Sequence, residues 1–328
     1  MSYQFHTHCP NCFKPSITTC CSHCRFDRET YMHDDAASHY LRPFTVLERG
    51  YVIGRVLGEG SFAIVYAAIR ETDSLPCAIK EYYPNALAKR GVDGITINPK
   101  RNQDLLDSWK KRFIQEATLL RRCYEAPSIE SGVVRYLDLI VQNNSAYLVM
   151  ERLEGNTLTK LLRTHRTLSA ESICLWLRPF LETLQKLHDK QIYHRDISPS
   201  NIILCANNRP VLMDFGLARE GARDELLKSS AIGRGTFIAP EQLTGGYCDH
   251  RTDFYSLGAI IYRCLLGHTP PQIEARRQGA SLSPLIQGSK TAQALQKIAE
   301  HCLQLDIKKR PKNAAAISAT LAPYWGDA

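Results

Sequence analysis

Asp196, Asn201 and Asp214 carry side chains that could bring a hydroxyl and a hard metal ion together. The first two lie in Tyr193-His194-Arg195-Asp196-Ile197-Ser198-Pro199-Ser200-Asn201, the third in Met213-Asp214-Phe215-Gly216. A carboxylate at 196 can orient a hydroxyl and take its proton, and the oxygens of Asn201 and Asp214 suit Mg²⁺. Upstream, Cys77-Ala78-Ile79-Lys80 ends an apolar run on a lysine. If that lysine points inward it needs a partner, and Glu116 is the candidate. Gly58-Glu59-Gly60-Ser61-Phe62-Ala63-Ile64-Val65 falls between two predicted strands, where glycines let backbone approach phosphates. A plain hairpin turn would read the same way. Strand on both sides argues against a dinucleotide-binding unit, which needs a helix there. Proton acceptor, cation ligands, ammonium and glycine-rich turn together describe phosphoryl transfer from a nucleotide. Ala239-Pro240-Glu241 completes the ordered set of motifs.

A second group opens the chain. Cys9-Pro10-Asn11-Cys12 and Cys21-Ser22-His23-Cys24 are two C-x-x-C knuckles eight residues apart. Four thiolates so spaced can close a tetrahedral Zn²⁺ site of the zinc-ribbon kind, with Cys9, Cys12, Cys21 and Cys24 as ligands. A redox disulfide pair and an iron–sulfur cluster are the alternatives. Cys20 is an extra thiol that leaves the register open, and His23 could replace one ligand. So short a segment cannot bury a core, so the metal would supply its folding energy. It could serve docking, regulation, dimerisation or nucleic-acid contact, or simply cap its neighbour.

The elements that must position these groups are legible in outline. Tyr51 to Lys80 reads as three strands. Residues 107–122 read as a helix with Trp109, Phe113, Glu116 and Leu120 on one face. Strands follow at Val133 to Val141 and Ala146 to Glu151, divided by the turn signal Asn143-Asn144. Beyond Gly155 the pattern is mostly helical. Ser169 is a good N-cap, and Ile173, Leu177, Phe180, Leu184 and Leu187 run down one apolar face. Further helices are expected over 252–266 and 291–304. The fold class expected is α+β, a strand-rich lobe followed by a helical lobe. The divisions are a zinc-ribbon-like module at 1–28, a linker at 29–50, a catalytic domain at 51–322 (lobes about 51–153 and 154–322) and a tail at 323–328.

Composition narrows the class. The chain has 328 residues, 44% hydrophobic and 23% charged, which suits a large folded domain and gives no sign of disorder. Its longest apolar runs fall short of the roughly 18 residues of a spanning helix. With no basic-then-apolar leader, a cytoplasmic location with no membrane is expected. The net charge of +8 is spread along the chain, and Lys110-Lys111-Arg112 reads as a solvated helix face. Aromatic and basic residues do not interleave near the cysteines, so nucleic-acid binding ranks last. The seven cysteines beyond the cluster sit in apolar context as small hydrophobes.

From about Tyr51 to Leu321 the chain resembles Hanks-type (eukaryotic-like) Ser/Thr protein kinases, on the motifs quoted above. Ile79-Lys80-Glu81-Tyr82-Tyr83-Pro84, the catalytic-loop phrase ending Ile197-Ser198-Pro199-Ser200-Asn201, and the long stretch from Pro84 to Asp107 are most similar to a bacterial subgroup, some of whose members are tied to type VI secretion. The resemblance implies a two-lobed kinase fold, ATP with Mg²⁺ (or Mn²⁺) as cofactors, and a protein substrate phosphorylated on Ser or Thr. It implies that Lys80 holds phosphates, Glu116 orients it, Asp196 is the catalytic base, and Asn201 and Asp214 bind magnesium. Gly58, Glu59, Gly60 and Ser61 would cover the phosphates. Met150 falls at the gatekeeper, and Glu151 to Leu153 form the hinge. Val65, Ala78 and Ile203 would sandwich adenine. Glu241 would pair with Arg310, Asp253 would anchor the catalytic-loop backbone, and His194 and Phe215 would pack. Arg195 beside the catalytic aspartate implies a phosphate pocket, with Ser229, Ser230 and Thr236 as candidate autophosphorylation sites.

Three departures stand out. Ser198 replaces the lysine that usually neutralises the transferring phosphate, and Ala63 replaces the third glycine. In Gly233-Arg234-Gly235-Thr236-Phe237-Ile238 the threonine stands closer to Pro240 than the substrate-loop threonine of the family, which loosens the expectation of Ser or Thr over Tyr. Ser198 and Ala63 carry the competing reading of a nucleotide-binding pseudokinase scaffold. A small-molecule kinase of the aminoglycoside type is disfavoured by Ala239-Pro240-Glu241 and Arg310. A docking partner could bind through the zinc module. The sequence carries no signal for oligomeric state or for the identity of the substrate.

Overall fold

The computed structural model describes residues 7–29, 31, 39–124, 132–216, 219–220, 235–284 and 288–325. The chain divides into two compact units. The first comprises Met1–Arg121 with Arg135–Leu153, the second Arg122–Val134 with Glu154–Ala328.

The first unit is built on a six-stranded antiparallel sheet. Its strands are β1 (Val46–Leu47), β2 (Tyr51–Glu59), β3 (Ala63–Arg70), β4 (Leu75–Tyr82), β7 (Tyr136–Ile140) and β8 (Tyr147–Glu151), ordered β1-β2-β3-β4-β8-β7. A small hairpin, β5 (Ala88–Arg90) with β6 (Ile97–Pro99), occupies the long stretch after Pro84. Helix α1 (Gln103–Tyr124) follows, its residues up to Arg121 belonging to this unit. Strand β7 begins at Tyr136 rather than Val133, because Val133 bridges Leu212 instead. Asn143 and Asn144 turn the β7–β8 connection with φ of 54° and 55°, the left-handed torsions that asparagine tolerates.

The N-terminal cysteines sit in two turns of matching design, offset by twelve residues (9 to 21, 12 to 24). Phe13 N donates to Cys9 O and Arg25 N to Cys21 O, each at 2.8 Å. Both turns need left-handed backbone, with φ of 60° at Phe13 and 57° at Arg25. The module lies against β2. Phe13 packs in a buried cluster with Val52, Ala67 and Ile69, and Arg55 N donates to Pro10 O at 2.8 Å. Approach is so close at Gly54 that an added Cβ would lie 2.2 Å from Pro10 O. Only glycine fits there.

Residues 39–50, most of the described part of the expected linker, also lie on the sheet. Leu41 is buried and its N–H donates to Tyr66 Oη at 3.1 Å, while Val46 and Leu47 form the edge strand. His39 O accepts from Arg90, which makes a two-pronged ion pair with Glu81 at 2.7 and 2.9 Å. Neither residue of that pair is more than slightly accessible.

In the second unit, α2 (Leu158–His165), α3 (Ala170–Asp189), α4 (Pro240–Thr244), α5 (His250–Leu266), α6 (Ile273–Arg277), α7 (Lys290–Cys302) and α8 (Ala314–Leu321) accompany short strands β9 (Gly155–Thr157), β10 (Ile192–Tyr193), β11 (Ile202–Cys205), β12 (Pro210–Leu212) and β13 (Arg219–Glu220). Ser169 caps α3 by accepting from Ser172 N, as its sequence position predicts. Helix α5 is apolar almost all round and buried from Thr252 to Tyr262, which marks it as the centre of the unit. It meets α7 so closely at Gly258 that a Cβ would stand 2.6 Å from that of Cys302. Burial pushes the Cys264 and Cys302 thiols up to about 12, so both behave as small hydrophobes.

Candidate active site and candidate metal centre

Strand β4 and helix α1 deliver the first functional pair. Lys80 Nζ lies 2.7 Å from Glu116 Oε1, with side-chain exposures of 12% and 5%. The Phe113 ring, one turn before Glu116, stands 5.6 Å from the same ammonium. The helix face read from the sequence therefore presents both an aromatic ring and a carboxylate to Lys80.

The glycine-rich turn joins β2 to β3. At Gly58 an added Cβ would meet nothing within 4 Å, and at Gly60 only Ala63 O at 3.9 Å. Neither position is demanded by packing, in contrast to Gly54, and room is left for a group from outside. The Glu59 carboxylate accepts from Tyr40 Oη at 2.6 Å and meets His39 Nε2 at 3.0 Å. Val65 pairs with Lys80 across β3 and β4, and Ala78 pairs with Met150 across β4 and β8. Glu151 N donates to Arg135 O at 2.9 Å, and its side chain accepts from Arg135 N at 2.8 Å.

In the second unit, the loop between β10 and β11 carries Asp196 and Asn201. Asp253, at the start of α5, accepts from Arg195 N at 2.7 Å and from His194 N at 3.0 Å, and His188 Nε2 lies 2.9 Å away. Against a burial that would raise it, the contact with His188 and these amides hold Asp253 below its ordinary value. A fully buried carboxylate with such partners stays charged and fixes the loop backbone, including Arg195 at φ 60°. Asn201 Nδ2 donates to Asp196 O at 2.9 Å and to Asp196 Oδ2 at 3.2 Å. Asn201 Oδ1 accepts only a long contact from Ser200 Oγ, at 3.4 Å, and could face a cation. Met213 N donates to Asn201 O at 2.8 Å, which ties the residue before Asp214 to the same loop. Asp214 adopts φ 61°, a torsion uncommon outside glycine and frequent at sites where function demands it. His194 packs edge-on to Phe215 at 4.8 Å, and its Nε2 is 3.0 Å from Met213 O.

An open depression beside this loop is lined by Asp196, Ser198, Asn201, Thr159, Phe237 and Ile238. Ser198 and Ser200 join hydroxyls at 2.8 Å. Glu241 receives Arg310 at 2.7 and 2.8 Å through both carboxylate oxygens. Ile203 lies on β11. Thr236 is half-buried in a short 3-10 turn, Gly235–Phe237. Ser229 and Ser230 lie outside the described residues.

The sulfurs of Cys9, Cys12, Cys21 and Cys24 all lie within 4.8 Å of one another. Cys9 Sγ to Cys24 Sγ is 3.6 Å and Cys12 Sγ to Cys21 Sγ is 3.7 Å. A tetrahedron with Zn–S bonds of about 2.3 Å has edges of roughly 3.8 Å, which these two separations match. Cys20 and His23 stand outside the group, and Cys20 is exposed. Burial pushes the Cys9 thiol up to about 12. Against burial, the backbone amides of Cys24 and His23 draw Cys21 down to about 6.

Asn11, between the first two thiols, carries no sequence signal beyond its turn-forming type. Its backbone N–H and side-chain amide each point at a sulfur, Cys9 and Cys24, at 3.4 Å. Its Oδ1 accepts from Arg55 Nε at 2.8 Å and from Arg152 at 2.6 Å, and its carbonyl also accepts from Arg152. Arg152 stands in the expected hinge. An arginine there has no sequence signal, because its partner lies 141 residues away.

A family model of the protein kinase domain matches residues 51–322. The chain is 31% identical to the human serine/threonine-protein kinase ULK1 over 66% of its length, and 30% identical to pkn2 of Myxococcus xanthus over 84%. PknL of Mycobacterium tuberculosis is 38% identical over 38% of this chain. Among solved structures, the apo form of PpkA-294 superposes with a TM-score of 0.74 at 29% identity, covering 86% of this chain and 99% of that one. The chain belongs to the protein kinase family. It spans 19% of ULK1, 31% of PknL and 32% of pkn2. No helix among the described residues is long and apolar enough to cross a membrane.

Proposed function

We propose that this chain uses ATP and Mg²⁺ to phosphorylate Ser or Thr hydroxyls of proteins, its own activation segment among them. The observation that carries this reading is the Asp196–Asn201 contact at 3.2 Å, on a loop whose backbone is fixed by a buried aspartate. Asp196 orients the substrate hydroxyl and takes its proton as the oxygen attacks the γ-phosphorus. The bond to the β-phosphate oxygen breaks, and ADP leaves with that electron pair. Lys80, held by Glu116, meets the α- and β-phosphates, and the backbone around Gly58, Gly60 and Ser61 covers them. Asn201 Oδ1 and the Asp214 carboxylate would hold Mg²⁺, which offsets charge on the phosphate oxygens. In the first unit Val65 and Ala78, with Met150 to Leu153, are the candidates for holding adenine, and in the second unit Ile203 is.

The intact motif residues favour transfer over a scaffold that merely binds nucleotide. The Ser198–Ser200 hydroxyl pair offers two dipoles where related enzymes place a cation, so transfer continues with less charge stabilisation. Phosphoproteomes of cells carrying the intact chain or its Asp214→Ala form test the reading. Ser and Thr sites should vanish in the variant; indistinguishable phosphoproteomes would refute it. Thr236, Ser229 and Ser230 are the expected self-modified positions. Mass spectrometry of protein made with and without Asp196→Asn should show phosphate there only in the intact form.

The N-terminal module is best read as a zinc-bound brace of the sheet rather than a free docking arm. Support comes from the fit of four sulfurs to a tetrahedron and from Phe13, Pro10 and Asn11 resting on β2 and Arg152. Purified protein should carry one equivalent of zinc, and Cys24→Ser should lower this severalfold with a lower melting temperature. A variant that keeps its full melting temperature without metal would contradict the brace.

A further inference from the structure

The tip of the glycine-rich turn is held by contacts that phosphate binding alone does not require. Phe62 stacks face to face on Trp109 of α1, with ring centroids 4.4 Å apart and planes 10° from parallel. Arg112 lies over the Trp109 ring at 5.2 Å. The turn's backbone is tied as well: Phe62 O accepts from Tyr83 N at 3.0 Å and Ser61 O from Asn85 N at 3.2 Å. Phe62 is 39% exposed, so the stack is not a by-product of core burial.

Trp109, Phe113 and Glu116 share one face of α1 at i, i+4 and i+7. Trp109 contacts Phe62, the Phe113 ring lies against the Lys80 ammonium, and Glu116 pairs with that ammonium directly. One rigid helix face thus touches both the turn over the phosphates and the lysine. A shift of the helix that broke Lys80–Glu116 would also drag the turn.

We propose that Trp109 is a positioning residue of the nucleotide site, fixing the phosphate-covering turn, through Phe62, to the helix that presents Glu116 to Lys80. This rests on the reading that the Gly58–Ser61 turn receives the triphosphate. The ligand class is a nucleoside triphosphate with its divalent cation. Trp109 touches no part of it and acts by holding Phe62.

Calorimetric titration of the full chain with a non-hydrolysable Mg–ATP analogue tests this, beside steady-state kinetics on a basic acceptor protein. Trp109→Ala should weaken nucleotide affinity and raise KM for ATP by about three- to tenfold, the size expected for loss of one aromatic pair. KM for the acceptor should stay within about twofold and kcat should fall less than affinity. Trp109→Phe should recover most of the loss. Phe62→Ala, at an exposed ring that unfolding does not threaten, should reproduce it, and the double variant should be no worse than either single one. Unchanged affinity in both single variants, or losses that multiply in the double, would overturn the proposal. Should the intact chain itself not bind the analogue, the kinase reading fails and this inference with it.

Discussion

Asp196→Asn should lower phosphoryl transfer by about 10²–10⁴-fold, the usual worth of a positioned acid–base group. Nucleotide affinity should stay within about twofold, because the role proposed for Asp196 is on the substrate hydroxyl rather than on the triphosphate. The amide keeps the size of the side chain and can still meet Asn201, which now lies 3.2 Å from the carboxylate. What disappears is the proton acceptor. Single-turnover rates with saturating ATP separate the effects, and a variant that transfers at the intact rate would show that Asp196 is not the catalytic base.

Arg310→Ala should destabilise the second unit by roughly 3–5 kcal/mol, because it strands the Glu241 carboxylate without a cation, leaving it only the Thr252 hydroxyl at 2.8 Å. The Arg310 side chain is fully buried and Glu241 nearly so, and solvent can do little to compensate. The guanidinium also donates to Arg251 O at 3.0 Å and lies over Tyr255 at 5.0 Å, so several carbonyls and a ring lose their partner together. In a unit of this size, that loss should lower the melting temperature by on the order of 10 °C. Arg310→Lys should recover little, since an ammonium cannot match both carboxylate oxygens at once. Differential scanning calorimetry reads both variants; a shift of less than about 2 °C would show that the pair contributes little.

Residues whose type is dictated by chemistry are legible from the chain alone. Lys80, Glu116, Asp196, Asn201 and Asp214 announce themselves by order and spacing, since each role accepts few side chains. Helix α1 can be read because Trp109, Phe113 and Glu116 obey its period, and Ser169 marks the start of α3 by its capping chemistry. Contacts between distant segments follow no period and leave no such mark. The helical repeat places Trp109 on the right face of α1, yet its partner Phe62 lies 47 positions earlier. Arg90 closes on Glu81 because a short hairpin folds back, in a stretch notable only for its length. Asn11 reads as a turn former between cysteines, while its side chain in fact reaches Cys24, Arg55 and Arg152. The register of the four thiols is open in the sequence because Cys20 adjoins Cys21; packing turns Cys20 to solvent and Cys21 inward.

The most direct measurement is transfer of label from γ-labelled ATP by the purified chain, with its Asp214→Ala form alongside. With Mg²⁺ present, labelled phosphoserine or phosphothreonine should appear on the chain or on a basic acceptor protein, and should be lost on chelation and in the variant. Equal background label in both forms, while the intact chain still binds Mg–ATP, would contradict catalysis and leave a nucleotide-binding scaffold.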